Sequence, residues 1–404
     1  MSLFDTLPVT GPDVAFSLIA DFAADPSPKK VDLCPGFYRD EQGRPWILPS
    51  VQQAKKLLSE DTTENHEHLP LSGHPKLVSG SRELVFGAHA GQLSRIATIQ
   101  TVSGTGSNHL GARILSDTCR PKHVWISDPS WINHTEIWRN IDPDIQRCSY
   151  PYYAPATQSL DFQGMLDTLR AQAAAGDTLI LHGCAHNPTG LDLSHEQWEQ
   201  IANLCEEKSL FPFFDLAYQG FASGDLVEDA WPIRHFLGRS NLEFAVAQSF
   251  SKNFGLYGER VGALHVVTRS DEARTKVLGK LVQLQRAEIT SPPGYGAKLI
   301  ARILSDEHLF QQWHEDLIHM SSRMKGMRQR LFEELRERKT PGVWEHMLTE
   351  IGMFSMSGLT ASQVAELKDK YHIYLLPSGR ISITGLTEHN VAYVAESLDK
   401  VIRA

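Results

Sequence analysis

Basic runs are missing from this chain of 404 residues, as are internal repeats, low-complexity segments and cysteines at CxxC spacing. Each absence excludes something. Lysine and arginine total 39 against 48 aspartates and glutamates, a formal net charge of −9, and no cationic stripe offsets it. Nucleic acid and membrane surfaces are therefore not expected as partners. No segment approaches the roughly 20 apolar residues that a membrane-spanning helix needs. The start, MSLFDTLPVTGPDVAF, has no basic region followed by an apolar core, so it is not expected to act as a secretory signal. Five cysteines (Cys34, Cys119, Cys148, Cys184, Cys205) are an odd number without a disulfide-like spacing, which points to reduced thiols in a cytoplasmic protein. His66, His68 and His74 lie close together without a completing ligand set, so no metal is expected.

What is present is ordinary globular composition, 41% hydrophobic and 22% charged, in a chain long enough for one large core and a smaller one. Between residues 80 and 300, short apolar runs alternate with helical patterns. HVWIS (123–127), TLILHGC (178–184), FPFFD (211–215), FAVAQSF (244–250) and VGALHVV (261–267) read as strands. SHEQWEQIANLCEEKS opens with a Ser-x-x-Gln capping signature at Ser194. Such alternation predicts an α/β domain with a mostly parallel sheet. After residue 305 the texture changes. Leu309, Trp313, Leu317, Met320, Met324, Met327, Leu331 and Leu335 recur at steps of three and four, one apolar stripe on a long helix. A strand at GMFSMSG, a helix at TASQVAELKDKY, a strand pair around IYLLPSGRISITG and a helix from about 388 follow. The expected division is a large domain over 46–305 and a small one built from 306–404, with 1–45 packing on it.

In open α/β sheets, ligands bind at the carboxyl ends of the strands. The polar residues following each predicted strand are Trp131, Asn133 and His134; Asn187 before a Pro-Thr-Gly turn; Asp215 and Tyr218; and Ser249, Ser251, Lys252 and Arg260. Taken singly, an aspartate after a strand is more often a cap than a catalyst, and a loop lysine is usually just solvated. Together they put a lysine, a carboxylate, a phenol, an indole and an amide at one sheet edge. Upstream, Ser103-Gly104-Thr105-Gly106 precedes a predicted helix, where free N–H groups favour an anion. It matches neither a dinucleotide fingerprint, since position 109 is histidine, nor a Walker loop. An anion site, a lysine able to form a Schiff base and a buried carboxylate are what pyridoxal 5′-phosphate needs.

SFSKNFGLYGERVGA, HNPTG, DLAYQGF, DPSWINH and SGRISITGLT resemble the motifs of class I aspartate and aromatic amino acid aminotransferases, enzymes of fold type I, and the similarity runs nearly end to end. The resemblance implies a large domain with a seven-stranded sheet, pyridoxal phosphate as cofactor, and a homodimer with shared active sites. It implies that Lys252 binds the cofactor aldehyde and then shuttles the proton of the reaction. Asp215, supported by His134 with His182 nearby, would pair with the pyridine nitrogen. Tyr218 and Asn187 would bond the ring oxygen and Trp131 would stack on the ring. Ser103, Gly104, Thr105, Ser249, Ser251 and Arg260 would hold the phosphate. Arg380 would grip the substrate α-carboxylate, with Gly36 and Ala15 lying over the substrate. Arg286 would reach a second carboxylate in the neighbouring subunit.

Three stretches depart from the family pattern. His68 stands where the family has a tyrosine that reaches the partner's cofactor phosphate, Cys34-Pro35 precede Gly36 in place of Gly and an aliphatic residue, and Val14-Ala15 replace a common Pro-Ile. Transamination of aspartate, glutamate or an aromatic amino acid with a 2-oxo acid such as 2-oxoglutarate is the expected activity. Two alternatives stay open: elimination, replacement or carbon–carbon bond formation on the same cofactor, and a non-catalytic binding protein on a degenerate scaffold. Retention of Lys252, Asp215, Asn187, Tyr218 and Arg380 speaks against the latter.

Overall fold

The computed structural model describes residues 2–87 and 90–404, without the side chains of residues 90 and 91. Seven strands form its central sheet: β1 (Ile96–Val102), β2 (His123–Asp128), β3 (Gln146–Pro151), β4 (Thr178–His182), β5 (Phe211–Leu216), β6 (Phe244–Ser249) and β7 (Val261–Val267). Their spatial order is β1-β7-β6-β5-β4-β2-β3. Strand β7 runs antiparallel to β1 and β6, and every other adjacent pair is parallel. The α/β class and the mostly parallel sheet are as expected.

Successive strand residues face opposite sides, and both sides of this sheet are covered. Phe213, Ala245, Ala247 and Leu264 enter one apolar layer, while Phe214, Phe244 and Val246 enter the other. Burial on both faces explains why the central strands read as unbroken apolar runs. Two strands escape that signature. In β1, IATIQTV is interrupted by polar residues that find partners inside: Thr98 Oγ1 lies 3.0 Å from His265 Nδ1, and Gln100 Oε1 accepts from the His74 amide at 2.9 Å. Strand β3, QRCSYP, is an edge strand in which Tyr150 alone is fully buried.

The capping box at Ser194 forms as its sequence predicts. The long helix spans Glu307–Glu337, and its predicted stripe is buried along its whole length. Strands β8 (Phe354–Met356) and β9 (Arg380–Ser382) pair antiparallel, with Met356 opposite Arg380. The expected strand pair within IYLLPSGRISITG is corrected here. Ile373–Tyr374 pairs in parallel with Val31–Asp32 of the N-terminal segment, and Arg380–Ser382 pairs with β8, so the two strands have different partners. The intervening turn is pinned elsewhere, because Gly379 (φ +79°) accepts the Ser357 amide at 3.0 Å. The same pairing fastens the N-terminal segment to the C-terminal part. Asp25 adds bonds of 2.8 Å from Tyr374 Oη and to His372 Nδ1.

Candidate active site

The carboxyl ends of the strands open into a cavity of about 370 Å³. The helix Ser103–Thr118 enters it N-terminus first. The anion cradle is therefore that helix's own first turn, where the sequence placed it just ahead of the helix. No side chain caps this end, so its first N–H groups lack intrahelical partners and face the cavity. Two close approaches shape the cradle. A Cβ on Gly104 would stand 2.8 Å from Ser249 Cβ, and one on Gly262 would stand 2.5 Å from the Ser103 carbonyl carbon. Ser249 and Ser251 come from the end of β6 and the turn after it, with Ser103 Oγ 3.1 Å from Ser251 Oγ. Arg260 completes the cradle from the start of β7, its Nη1 donating to the Tyr257 carbonyl at 2.9 Å.

Lys252 projects from that same turn into the cavity, with its Nζ 5.2 Å from the centre of the Tyr218 ring. Burial lowers its pKa from the ordinary lysine value, and the positive charges of Arg260 and Arg380 push the same way against Asp215. The amine is thus biased toward its neutral, nucleophilic form. Tyr218 shifts oppositely: burial, with Asp215 nearby, raises its phenol, so it stays a donor.

Asp215, one residue before the end of β5, lies opposite His182 of β4. Its Oδ2 accepts from Asn108 Nδ2 at 3.1 Å and lies 2.9 Å from His134 Nε2. The tautomers behind it can be assigned. The Asn187 amide can only donate, so His182 Nδ1 accepts from it at 3.0 Å. Burial holds His182 well below the usual histidine pKa, so the ring is neutral and its Nε2 carries the proton. Nε2 therefore donates to Ser130 Oγ at 3.3 Å, Ser130 donates to His134 Nδ1 at 3.0 Å, and His134 Nε2–H donates to Asp215. Burial works to raise the Asp215 carboxyl, yet above all the hydrogen bond from His134 holds it below the ordinary value. Its Oδ1 has no protein partner among the described residues.

Arg380, on β9, points in from the other side. Its Nη2 donates to the Cys34 carbonyl at 2.8 Å, its Nη1 lies 3.5 Å from Asn187 Oδ1, and its Cζ sits 4.1 Å over the Phe354 ring. Its buried Nε has no partner. Because Cys34 holds Arg380 through its main chain, the departure from the family pattern at Cys34-Pro35 does not disturb that bond.

Most predicted site residues meet here. Ala15, Gly36 and Trp131 line the mouth, and Asn187 lies beside Arg380. His134 is buried behind Asp215. His68 and Arg286 are exposed and do not enter this cavity. Sequence reasoning missed Asn108, Tyr257 and Phe354. Asn108 carries a signal, being four residues after Gly104 and so on the same helix face, and Tyr257 lies within SFSKNFGLYGERVGA. Phe354 carries none.

The donor set suits pyridoxal phosphate. Lys252, Arg260 and Arg380 line one cavity and none forms an ion pair with a carboxylate among the described residues. The two partly buried guanidinium groups, Arg260 and Arg380, call for anionic ligands. A phosphate fits the cradle, and a carboxylate fits the open edge of Arg380.

The model of aminotransferase classes I and II matches residues 28–398. An L-tyrosine:2-oxoglutarate aminotransferase of Aspergillus ustus is 46% identical over 411 residues, covering 99% of this chain and 78% of the relative. An aspartate aminotransferase from Saccharomyces cerevisiae cytoplasm superposes with a TM-score of 0.95 at 40% identity, covering 99% of this chain and 98% of that one. An aromatic-amino-acid aminotransferase from Burkholderia pseudomallei, covalently bound to pyridoxal phosphate, superposes with a TM-score of 0.94 at 34% identity over 100% of both chains. A family model matched over residues 28–398, with a fold shared nearly end to end with these enzymes, places the chain in the class I and II aminotransferase family, the pyridoxal phosphate-dependent enzymes that pass an amino group between an amino acid and a 2-oxo acid.

Proposed function

We propose that this protein transaminates glutamate, aspartate or an aromatic amino acid against a 2-oxo acid such as 2-oxoglutarate, in the cytoplasm and as a homodimer. The observation that carries the reading is the convergence of Lys252, Asp215 and Arg380 on one cavity with an anion cradle between helix and sheet. The relatives' names, which include tyrosine, aspartate, aromatic substrates and a cytoplasmic source, support the substrate range and location. Residues 46–305 act as the large domain, and 1–45 with 306–404 as the small one.

The cofactor supplies an aldehyde that takes up the amino group and a ring that withdraws electrons from the substrate Cα. The chain supplies the rest. Ser103, Gly104, Thr105, Ser249, Ser251 and Arg260 hold the phosphate, and Trp131 covers the ring. Asp215, ionised and oriented through His134 and Asn108, keeps a proton on the ring nitrogen. Tyr218 and Asn187 donate to the ring oxygen. Arg380 fixes the α-carboxylate, which leaves the Cα hydrogen to Lys252. The neutral Nζ of Lys252 removes that proton and returns it across the cavity. Gly36 and Ala15 exclude water at the mouth.

The dimer rests on surface features. Arg286 lies in the last turn of the helix Asp271–Glu288, and its neighbour Gln285 donates to the Leu71 carbonyl at 2.7 Å, while Ser291 Oγ donates to the Leu69 carbonyl at 2.9 Å. His68 and Arg286 thus share one exposed face. Leu3, Phe4, Leu7 and Val9 are 65–101% exposed, an apolar arm that a second copy would cover. Across that interface Arg286 would bind a distal carboxylate and His68 would approach the cofactor phosphate.

The test is a half-reaction. Glutamate alone should convert bound pyridoxal phosphate stoichiometrically to pyridoxamine phosphate and release 2-oxoglutarate. Lys252→Ala should still bind the cofactor through the cradle and turn over nothing. Release of a β- or γ-leaving group without pyridoxamine phosphate formation would replace the aminotransferase reading with elimination chemistry.

A further inference from the structure

Behind the cavity wall, the long helix buries an ion pair that none of the steps above uses. Arg328 and Glu350 are each 3% exposed, and Arg328 Nη1 donates to Glu350 Oε2 at 2.7 Å. A buried pair is rarely retained for stability alone, since desolvation offsets most of its attraction. What Arg328 does with its other donor shows its use. Nη2 points along the loop that leads into β8, donating to the carbonyls of Phe354 at 2.6 Å and Gly352 at 3.1 Å, with Ile351 at 3.5 Å. One guanidinium thus holds the main chain of the segment that ends at Phe354.

That segment touches two parts of the substrate site. Forward, the Phe354 ring lies 4.1 Å under the Arg380 guanidinium carbon, and a Cβ on Gly36 would stand 3.1 Å from its Cζ. Sideways, the Ile351 amide donates to the Gly190 carbonyl at 2.8 Å. Gly190 (φ +71°) closes the turn that carries Asn187, and a Cβ there would stand 2.6 Å from the Phe354 carbonyl oxygen. Gly352 (φ +80°) packs as tightly, 2.5 Å from Ala185 Cβ. Neither Arg328 nor Glu350 lines the cavity, yet the loop they hold is wedged between Arg380 and the Asn187 turn.

We propose that Arg328, oriented by Glu350, is a positioning residue for substrate binding: it fixes Phe354 beneath Arg380 and presses the 350–354 loop against the Asn187–Gly190 turn, so that the guanidinium presents its carboxylate-binding edge in one orientation. This rests on the reading of Arg380 as the α-carboxylate site. Arg380 lacks a carboxylate partner of its own among the described residues, so its aim depends on the Cys34 carbonyl and on the ring below it. The phosphate cradle is built from Ser103, Gly104, Thr105, Ser249, Ser251 and Arg260, none of which bonds to this loop among the described residues.

Arg328→Lys and Glu350→Gln keep volume and polarity and weaken the geometry. Both should bind pyridoxal phosphate as the parent does in fluorescence titration. In the glutamate half-reaction the apparent substrate Kd should rise about tenfold, while the limiting rate stays within about twofold, because the orientation lost serves binding more than proton transfer. Succinate, which has carboxylates and no amine, should lose affinity in parallel. Asp316→Ala controls for stability: Asp316, on the same long helix as Arg328, accepts from Ser50 Oγ at 2.6 Å, and losing that buried acceptor should lower Tm without raising the substrate Kd. Arg380→Lys separates the two levels. If it weakens glutamate binding while Arg328→Lys and Glu350→Gln lower only Tm, the positioning role is overturned and the α-carboxylate reading stands. If Arg380→Lys leaves glutamate binding unchanged, both fall.

Discussion

A lysine in water is almost fully charged at neutral pH and is a poor nucleophile, so the chemistry of this site begins with what surrounds Lys252. Burial comes first among the influences that lower its pKa, with Arg260 and Arg380 adding repulsion and Asp215 opposing them. The signs give a direct test on cofactor-free protein. Arg380→Met removes a repelling cation and should move the titration midpoint of Lys252 up. Asp215→Asn removes the attracting anion and should move it further down. The pH dependence of Lys252 acylation, followed by peptide mass spectrometry, reads both. A Lys252 that titrates like an exposed lysine, or shifts the same way in both variants, would remove burial and local charge as the basis of its reactivity. Asp215 shows the complementary design. Burial alone would protonate it, and the donors aligned through His182, Ser130 and His134 keep it ionised.

At the scale of elements, strands bring the chemistry together because their carboxyl ends terminate at one level of the sheet. That made much of the site legible in the sequence: Asp215, Ser249 and Lys252 each follow an apolar run, and the resemblance supplied the roles. Phe354 and Arg328 were not legible. Their importance arises from contacts with Arg380, Glu350 and the Gly190 turn, which no local pattern encodes. Strand β1 was hidden for a related reason, its polar residues being satisfied by distant partners. The close approach of β7 to the cradle makes an element-level prediction. Gly262→Ala would drive a methyl to 2.6 Å from the Ser103 carbonyl oxygen and 2.7 Å from that of Gln248. Main chain on both sides leaves it nowhere to go, so the first turn of Ser103–Thr118 must shift. The variant should lose about 1–3 kcal/mol of stability to overpacking, seen as a lower Tm, and should bind pyridoxal phosphate more weakly than the parent while Arg380-dependent binding of succinate is spared. Unchanged cofactor affinity would mean that the cradle does not hold the phosphate.

For the whole molecule, the role proposed for Arg286 turns on which chain would supply it. It is exposed, shares a face with His68, and lies outside its own cavity, so a role in substrate binding requires a second subunit. A charge-assisted bond to a distal carboxylate contributes roughly 1.5–3 kcal/mol, so Arg286→Leu should lower kcat/KM for glutamate or aspartate about ten- to a hundredfold and affect an aromatic amino acid much less. Mixing subunits then distinguishes donation across the interface from action within the chain. Consider Lys252→Ala chains, inactive but with Arg286 intact, refolded with an equal amount of Arg286→Leu chains, which keep Lys252. If Arg286 crosses the interface, each hybrid dimer holds one site with both residues lost and one site with both present. Random pairing makes about half the dimers hybrid, so dicarboxylate activity should recover to about a quarter of that of the unmodified protein. If Arg286 acts within its own chain, every site carries one lesion or the other, and the mixture stays at about half the level of the Arg286→Leu protein. A monomeric protein would show the same absence of recovery, and its sedimentation would identify it.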